Sequence, residues 1–139
     1  MSPPGDIICY KNYEFEDGSK KPKLFVVLNM ADGNTPCLVL MTTSQSKHYP
    51  NVKEGCNQRK INSCFFVPAK WGNCFTLDTY LQLPKIIEFS VNELLQGSMV
   101  TKQISVTSSI PSDCLAQLKN CLKRFKDDIS EKHWKLIFK

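Results

Sequence analysis

Two apolar runs joined by a very short polar turn constrain this chain more than any other feature. "KLFVVLNM" (residues 23–30) and "PCLVLMTT" (36–43) flank "ADGN". A connection that short can join only antiparallel neighbours, because a parallel crossover needs a dozen or more residues. The two runs therefore predict a hairpin at the centre of a sheet. Upstream, "DIICY" begins another strand after a Pro-containing lead. Downstream, "SQSKHYPNVKEGCNQRK" (44–60) has Pro50, Gly55 and almost no hydrophobic period, so it is expected to be a long loop. "INSCFFVP", "FTLDTYLQL" and "KIIEF" then predict two or three short strands, with "AKWGN" as a turn.

The last third changes character. "SVNE" (90–93) has the Ser-x-x-Glu form of a helix N-terminus, with Gly97 expected to end that helix within about two turns. "VTKQISV" alternates like an edge or closing strand. Leu115, Leu118, Leu122, Phe125 and Ile129 recur every three or four residues, which predicts an amphipathic helix beginning after Ser109 and Pro111. "SEKHWKLIFK" either extends that helix or forms a second short element. With 139 residues, no repeats and no linker-like tract, the chain is expected to be one domain spanning 1–139. The fold class is mainly β (α+β): a small antiparallel β barrel or strongly bent sheet with a C-terminal amphipathic helix.

Composition narrows the function classes. At 42% hydrophobic and 22% charged, wholesale disorder is excluded, and a net charge of +5 permits a polyanionic partner without requiring one. Seven cysteines cannot all pair within one chain, and they form no CxxC or finger-like register with His48 and His133. They are expected to be reduced thiols in a cytosol, with Cys56, in the polar loop, as the reactive one. No apolar stretch reaches a membrane-spanning length, and "MSPPGD" lacks a signal-peptide pattern, so a cytoplasmic protein is expected. There is no G-x-S-x-G, P-loop, Rossmann glycine pattern or H-E-x-x-H, and neither a metal nor a cofactor is expected.

What remains is basic and hydroxylic. Lys20, Lys21 and Lys23 crowd the start of the first hairpin strand, while the second ends in "MTTSQSKH", followed by Lys53, Arg59 and Lys60. In an antiparallel hairpin the start of one strand lies beside the end of the other, which makes Lys21 and Thr43 expected neighbours. Cations and hydroxyls on one rim suit phosphate oxygens, and Tyr10, Tyr13, Phe15, Tyr49 and Trp71, in or near loops, could stack unpaired bases.

The order of these features resembles the MazF/PemK-type toxins of toxin–antitoxin systems. The likeness rests on "GDII" opening a strand, "EDGSKKPKLFVVLN", "CLVLMTTSQ", "DTYLQLPKIIEF" and the closing helix "PSDCLAQLKNCLKRF", over about residues 5–125. The resemblance implies an SH3-like barrel, usually dimeric, and metal-independent cleavage of single-stranded RNA by attack of a 2′-hydroxyl on the adjacent phosphorus. Lys21, just before Pro22, stands where that family most often has its catalytic arginine, and Thr43 where it has a threonine. Lysine is a point charge where arginine is a two-pronged donor. Tyr80 and Gln82 stand where some relatives have an arginine and an aspartate. "TTSQSKH" is also similar to the barrel-fold nucleases of RNA-antitoxin systems, which implies a core of Thr43, Ser44 and Lys47 assisted by Lys21. His48 is the candidate general base, an imidazole being able to take up and release a proton at physiological pH. Lys20, Lys23, Tyr49, Arg59, Lys60 and Gln82 are the candidate RNA-binding residues. The implied partners are single-stranded RNA, a cognate antitoxin (an acidic protein segment or an RNA) and a second copy in a homodimer. A non-catalytic RNA- or protein-binding module on the same fold is the alternative.

Overall fold

The computed structural model describes residues 2–138. The chain builds one seven-stranded antiparallel sheet: β1 (Asp6–Glu14), β2 (Lys20–Val27), β3 (Cys37–Thr43), β4 (Gly55–Asn57), β5 (Cys64–Val67), β6 (Thr79–Phe89) and β7 (Ile104–Ser109). Their spatial order is β4-β5-β6-β3-β2-β1-β7. The hairpin β2–β3 lies at the centre, as its sequence predicts, and "VTKQISV" supplies an edge. The ladder is open: β4 and β7 are its two ends, and no hydrogen-bonded pairing closes it into a barrel among the described residues. The mainly-β class with a C-terminal helix is observed.

The continuous apolar runs follow from burial on both faces of the sheet. Along β2 and just beyond it, Val26 and Leu28 join one core with Leu38, Leu40, Phe65 and Leu81. Phe25 and Val27 join a second core with Ile8, Val39, Phe89 and Ile104. The first core is covered by α2 (Ser112–Leu122), a 3-10 turn (Lys123–Asp128) and α3 (Glu131–Phe138), through Cys114, Leu118, Leu122, Phe125 and Ile137. The predicted stripe thus packs on the sheet, and "SEKHWKLIFK" forms a separate helix because the backbone leaves helical geometry at Phe125 and turns extended at Ile129.

The second core is covered only in part. α1 (Val91–Leu95) starts where predicted, the Ser90 hydroxyl accepting a hydrogen bond from the Glu93 amide at 3.0 Å. Gly97 does not end it. The helical path continues as a π turn over Gln96–Val100, and a Cβ at Gly97 would meet the Ile104 side chain at 2.4 Å. This glycine is therefore a point of close approach between the turn and β7 rather than a stop signal.

Two further expectations are corrected. The 44–60 segment is not a plain loop, since it contains a 3-10 turn (Ser46–His48) and the edge strand β4, whose three residues are too few to show a period. The thiols are not all reduced: Cys56 on β4 is bonded to Cys121 on α2 across 65 residues of sequence, which ties the edge strand to the covering helix. Cys9, Cys37, Cys64, Cys74 and Cys114 are free. Burial pushes the thiols of Cys37 and Cys64 up to about 11 and that of Cys114 up to about 12, so these three behave as small apolar groups and not as nucleophiles.

Candidate nucleic-acid interface

The face that α1 leaves bare carries an open cavity of about 620 Å3 between the start of β2, the end of β3, the middle of β6 and the 3-10 turn. β2 and β3 pair from Val27 with Val39 to Phe25 with Met41, and beyond that ladder the Thr42 hydroxyl still reaches the Leu24 carbonyl, so the strands run on side by side toward Lys23 and Thr43. Lys21 and Thr43, the expected neighbours, both line the cavity, and Lys23 lines it with them. Thr43 pairs in turn with Tyr80 of β6, which places lysine, threonine and tyrosine on one face of three adjacent strands.

The two threonines divide their labour. Thr42 is buried and its hydroxyl donates to the Leu24 carbonyl at 2.8 Å, pinning β3 to β2. The Thr43 hydroxyl accepts from the Gln45 amide at 3.2 Å, which leaves its own proton free for a ligand oxygen. Ser44 and His48 line the same cavity and are exposed. The His48 carbonyl accepts from the Asn62 amide group at 3.1 Å, so the backbone that carries the imidazole is fastened from below.

Three ammonium groups, from Lys21, Lys23 and Lys85, line the cavity. None of them makes a salt bridge among the described residues. Burial, and then repulsion from Lys85 and Lys21, holds the Lys23 ammonium below the usual lysine range. Such a cluster gains by taking an anion into its midst. Phe15 lies beneath two of the three, its ring centroid 5.9 Å from the Lys21 nitrogen and 5.7 Å from that of Lys23. At the neighbouring turn, hydrogen bonds from the Ser19 hydroxyl and amide keep the Asp17 carboxyl below its usual range, with Lys21 adding to the effect.

Of the candidate residues, Lys21, Lys23, Thr43, Ser44, His48, Tyr49 and Gln82 line this cavity, whereas Lys20, Lys47, Arg59 and Lys60 do not. Lys47 and Lys60 are exposed elsewhere, and the Arg59 guanidinium donates to the Pro50 carbonyl, where it fastens the 44–60 segment. Tyr49 contributes differently from expectation. Its ring is buried in a parallel stack on Tyr80 (5.0 Å between centroids, 9° between planes), which itself stacks on Phe66 at 4.9 Å. Neither face of Tyr49 is offered to a base, but its hydroxyl accepts from the Gln82 amide at 3.2 Å and so orients Gln82 toward the cavity rim. Lys85 escaped the sequence reading. Its signal was the two-residue period of "KIIEF", which puts Lys85 on the same face as Ile87 and hence of Val39 and Thr43.

The described residues contain no cluster of His, Cys, Asp and Glu able to hold a metal ion, and no helix long and apolar enough to cross a membrane. The arrangement can bind an oxyanion, donate hydrogen bonds to it from Thr43 and Ser44, and exchange a proton through His48. The chain matches no family model, no curated protein and no solved structure.

Proposed function

We propose that this face is the site of a metal-independent endoribonuclease acting on single-stranded RNA, of the kind found in MazF/PemK-type toxins. The observation that carries the reading is the convergence of Lys21, Lys23, Lys85, Thr43 and His48 on one open cavity, with no salt bridge to the three lysines among the described residues. Cleavage of RNA at a phosphodiester needs no protein nucleophile. The ribose 2′-oxygen forms a bond to phosphorus, the P–O5′ bond breaks, one proton leaves the 2′-hydroxyl and one reaches the departing 5′-oxygen. The products are a 2′,3′-cyclic phosphate and a 5′-hydroxyl. In this reading His48 takes the 2′-proton, water supplies the one that reaches the 5′-oxygen, the three ammonium groups stabilise the charge that builds on the phosphoryl oxygens, and the Thr43 hydroxyl donates to one of them. The natural partner is an antitoxin, an acidic protein segment or a folded RNA, laid over the lysines in the cytoplasm, and the active form is a homodimer.

The purified protein incubated with mixed-sequence single-stranded RNA and a chelator is expected to yield 5′-hydroxyl fragments. Lys23→Met and Thr43→Ala should each slow cleavage by about a hundredfold, the scale of removing one donor to a developing charge. Intact RNA at high protein concentration would sink the nuclease reading. A second reading, a non-catalytic RNA-binding module, draws on the single-nitrogen cation at Lys21, which cannot grip a phosphate through two parallel bonds. Salt-sensitive RNA retention with no fragments would select it.

A further inference from the structure

Residues 44–60 form a strap at the β4 edge of the sheet. The strap begins on the open face, where Ser44 and His48 line the lysine cavity and Tyr49 and Val52 pack with Tyr80 and Phe66, apart from both large cores. It ends as β4, where Cys56 pairs with Phe65 of the covered core and is bonded to Cys121 of α2. The noncovalent ties of this second half to the rest of the protein are light: a three-residue ladder to β5, and the Gln58 amide group donating to the Arg124 carbonyl at 3.4 Å. So short an edge ladder contributes little by itself. The Asn57 side chain bonds only within the strap, to Lys53 and Gly55, and Arg59 reaches back to Pro50. The sulfur link is therefore the main tie between the strap's second half and the covering helix.

We propose that Cys56 and Cys121 form a reversible thiol–disulfide switch, opened by a dithiol reductant that attacks Cys56, and that its state sets how firmly the strap holds Ser44 and His48 in the cleft. This rests on placing the chain in the cytoplasm and on reading the lysine cavity as the working site. A reducing cytosol keeps most thiols free, and the disulfides that do form there are mostly transient or redox-sensing. Five of the seven cysteines are free and one pair is bonded. Cys121 is buried, whereas Cys56 is half-buried, so an entering thiolate reaches the Cys56 sulfur first. In the opening step that thiolate forms a bond to Cys56 Sγ. The Cys56–Cys121 bond breaks, its electron pair goes to Cys121 Sγ, and that sulfur takes a proton. The second thiolate of the reductant then displaces Cys56, which is protonated in turn. Two electrons and two protons have passed to the protein, and the dithiol leaves as a disulfide.

The test is amide hydrogen exchange, read by NMR, on the oxidised protein and on protein treated with dithiothreitol under native conditions, with thiols counted by alkylation after denaturation. The five free thiols should become seven. Protection should be lost in the strap alone, at the β4 ladder and at the Lys53 amide that Asn57 holds, with the β2–β3 hairpin unchanged. Cys56→Ser should show the reduced pattern without any reductant. Cys121→Ser, which leaves the accessible sulfur free, should take up one mixed disulfide at Cys56 from oxidised glutathione. A link that resists the dithiol in the folded protein, a strap as protected after reduction as before, or no adduct at Cys56 would each overturn the switch. So would a loss of protection that spreads through β2 and β3, because the link would then be a staple of the whole fold. Exchange is read without RNA, so the two ideas fail separately. Cleavage is expected to be lost on reduction. RNA left intact in both redox states removes the nuclease and leaves the opening of the strap, whereas equal cleavage in both states keeps the nuclease and removes the switch's hold on it.

Discussion

The two faces of the sheet are finished differently, and the difference separates what holds the molecule together from what it can do. On one face α2, the 3-10 turn and α3 cover the strands from Ile7 to Leu83, and Leu118 and Leu122 share one apolar core with Val26, Leu40, Phe65 and Leu81. On the other, α1 and its π turn cover Phe25, Val27 and Phe89 and stop there. Past that limit the same strands carry Lys23, Thr43, Gln82 and Lys85, ordered by the ladder but left open. A rigid sheet with one finished face can thus hold unpaired charges at fixed positions on the other, which a free loop could not do.

Substitutions on each face sharpen this contrast. The largest effect is expected at Leu118, fully buried under the helices: Leu118→Ala should cost about 2–5 kcal/mol in denaturant unfolding while leaving RNA affinity per folded molecule unchanged. A matching loss from Thr43→Ala would erase the distinction between the faces. Next comes the link between Cys56 and Cys121. The loop it closes is 65 residues long, so Cys56→Ser should lower stability by up to about 4 kcal/mol, and the wild-type protein should lose as much on full reduction. Identical unfolding curves with and without a thiol reductant would show that the tie contributes nothing. At the limit of the cover, Ser90→Ala removes the hydroxyl that caps α1 and should cost about 1 kcal/mol, measured by thermal unfolding. The smallest effect is expected at Glu88, whose carboxylate is 2.6 Å from the His133 ring nitrogen and 3.3 Å from Lys132, joining β6 to α3. Hydrogen bonding from His133, and secondarily from Lys132, holds the Glu88 carboxyl below its usual range. A carboxyl lowered by folding contributes stability above its unfolded pKa and loses it as pH falls through the folded value. Because the group is well exposed, Glu88→Gln should change stability at neutral pH by under about 1 kcal/mol and flatten the acid limb of the pH–stability curve. An unchanged acid limb would show that this contact does not set it.

The covered face was largely legible in the sequence and the open face only in part. Continuous apolar runs and a helical stripe announce burial without needing register, which is why β2, β3 and α2 could be placed from pattern alone. Register is another matter. The register of β2 on β3 comes from the particular "NMADGNTP" connection, in which Asp32 and Thr35 bridge, and the hydrophobic pattern is indifferent to which lysine lies nearest the hydroxyls. β4 is three residues long, and the Cys56–Cys121 link joins segments 65 residues apart, so no local pattern encodes either. Tyr49 was recognised as an aromatic beside the site, but that its ring is spent on stacking Tyr80 depends on β6 arriving from a distant part of the chain.

The placement of the two tryptophans has a practical consequence. Trp71 leans on Phe65 and points its indole N–H at Asp113, 3.3 Å away, and Trp134 packs on Phe138, so both belong to the helical side. The tyrosines Tyr49 and Tyr80 lie together at the edge of the lysine cavity. Excitation at the red edge of the spectrum, where tyrosine does not absorb, therefore watches the helical side and not the cavity, and one cuvette can follow loosening of the scaffold apart from events among the lysines.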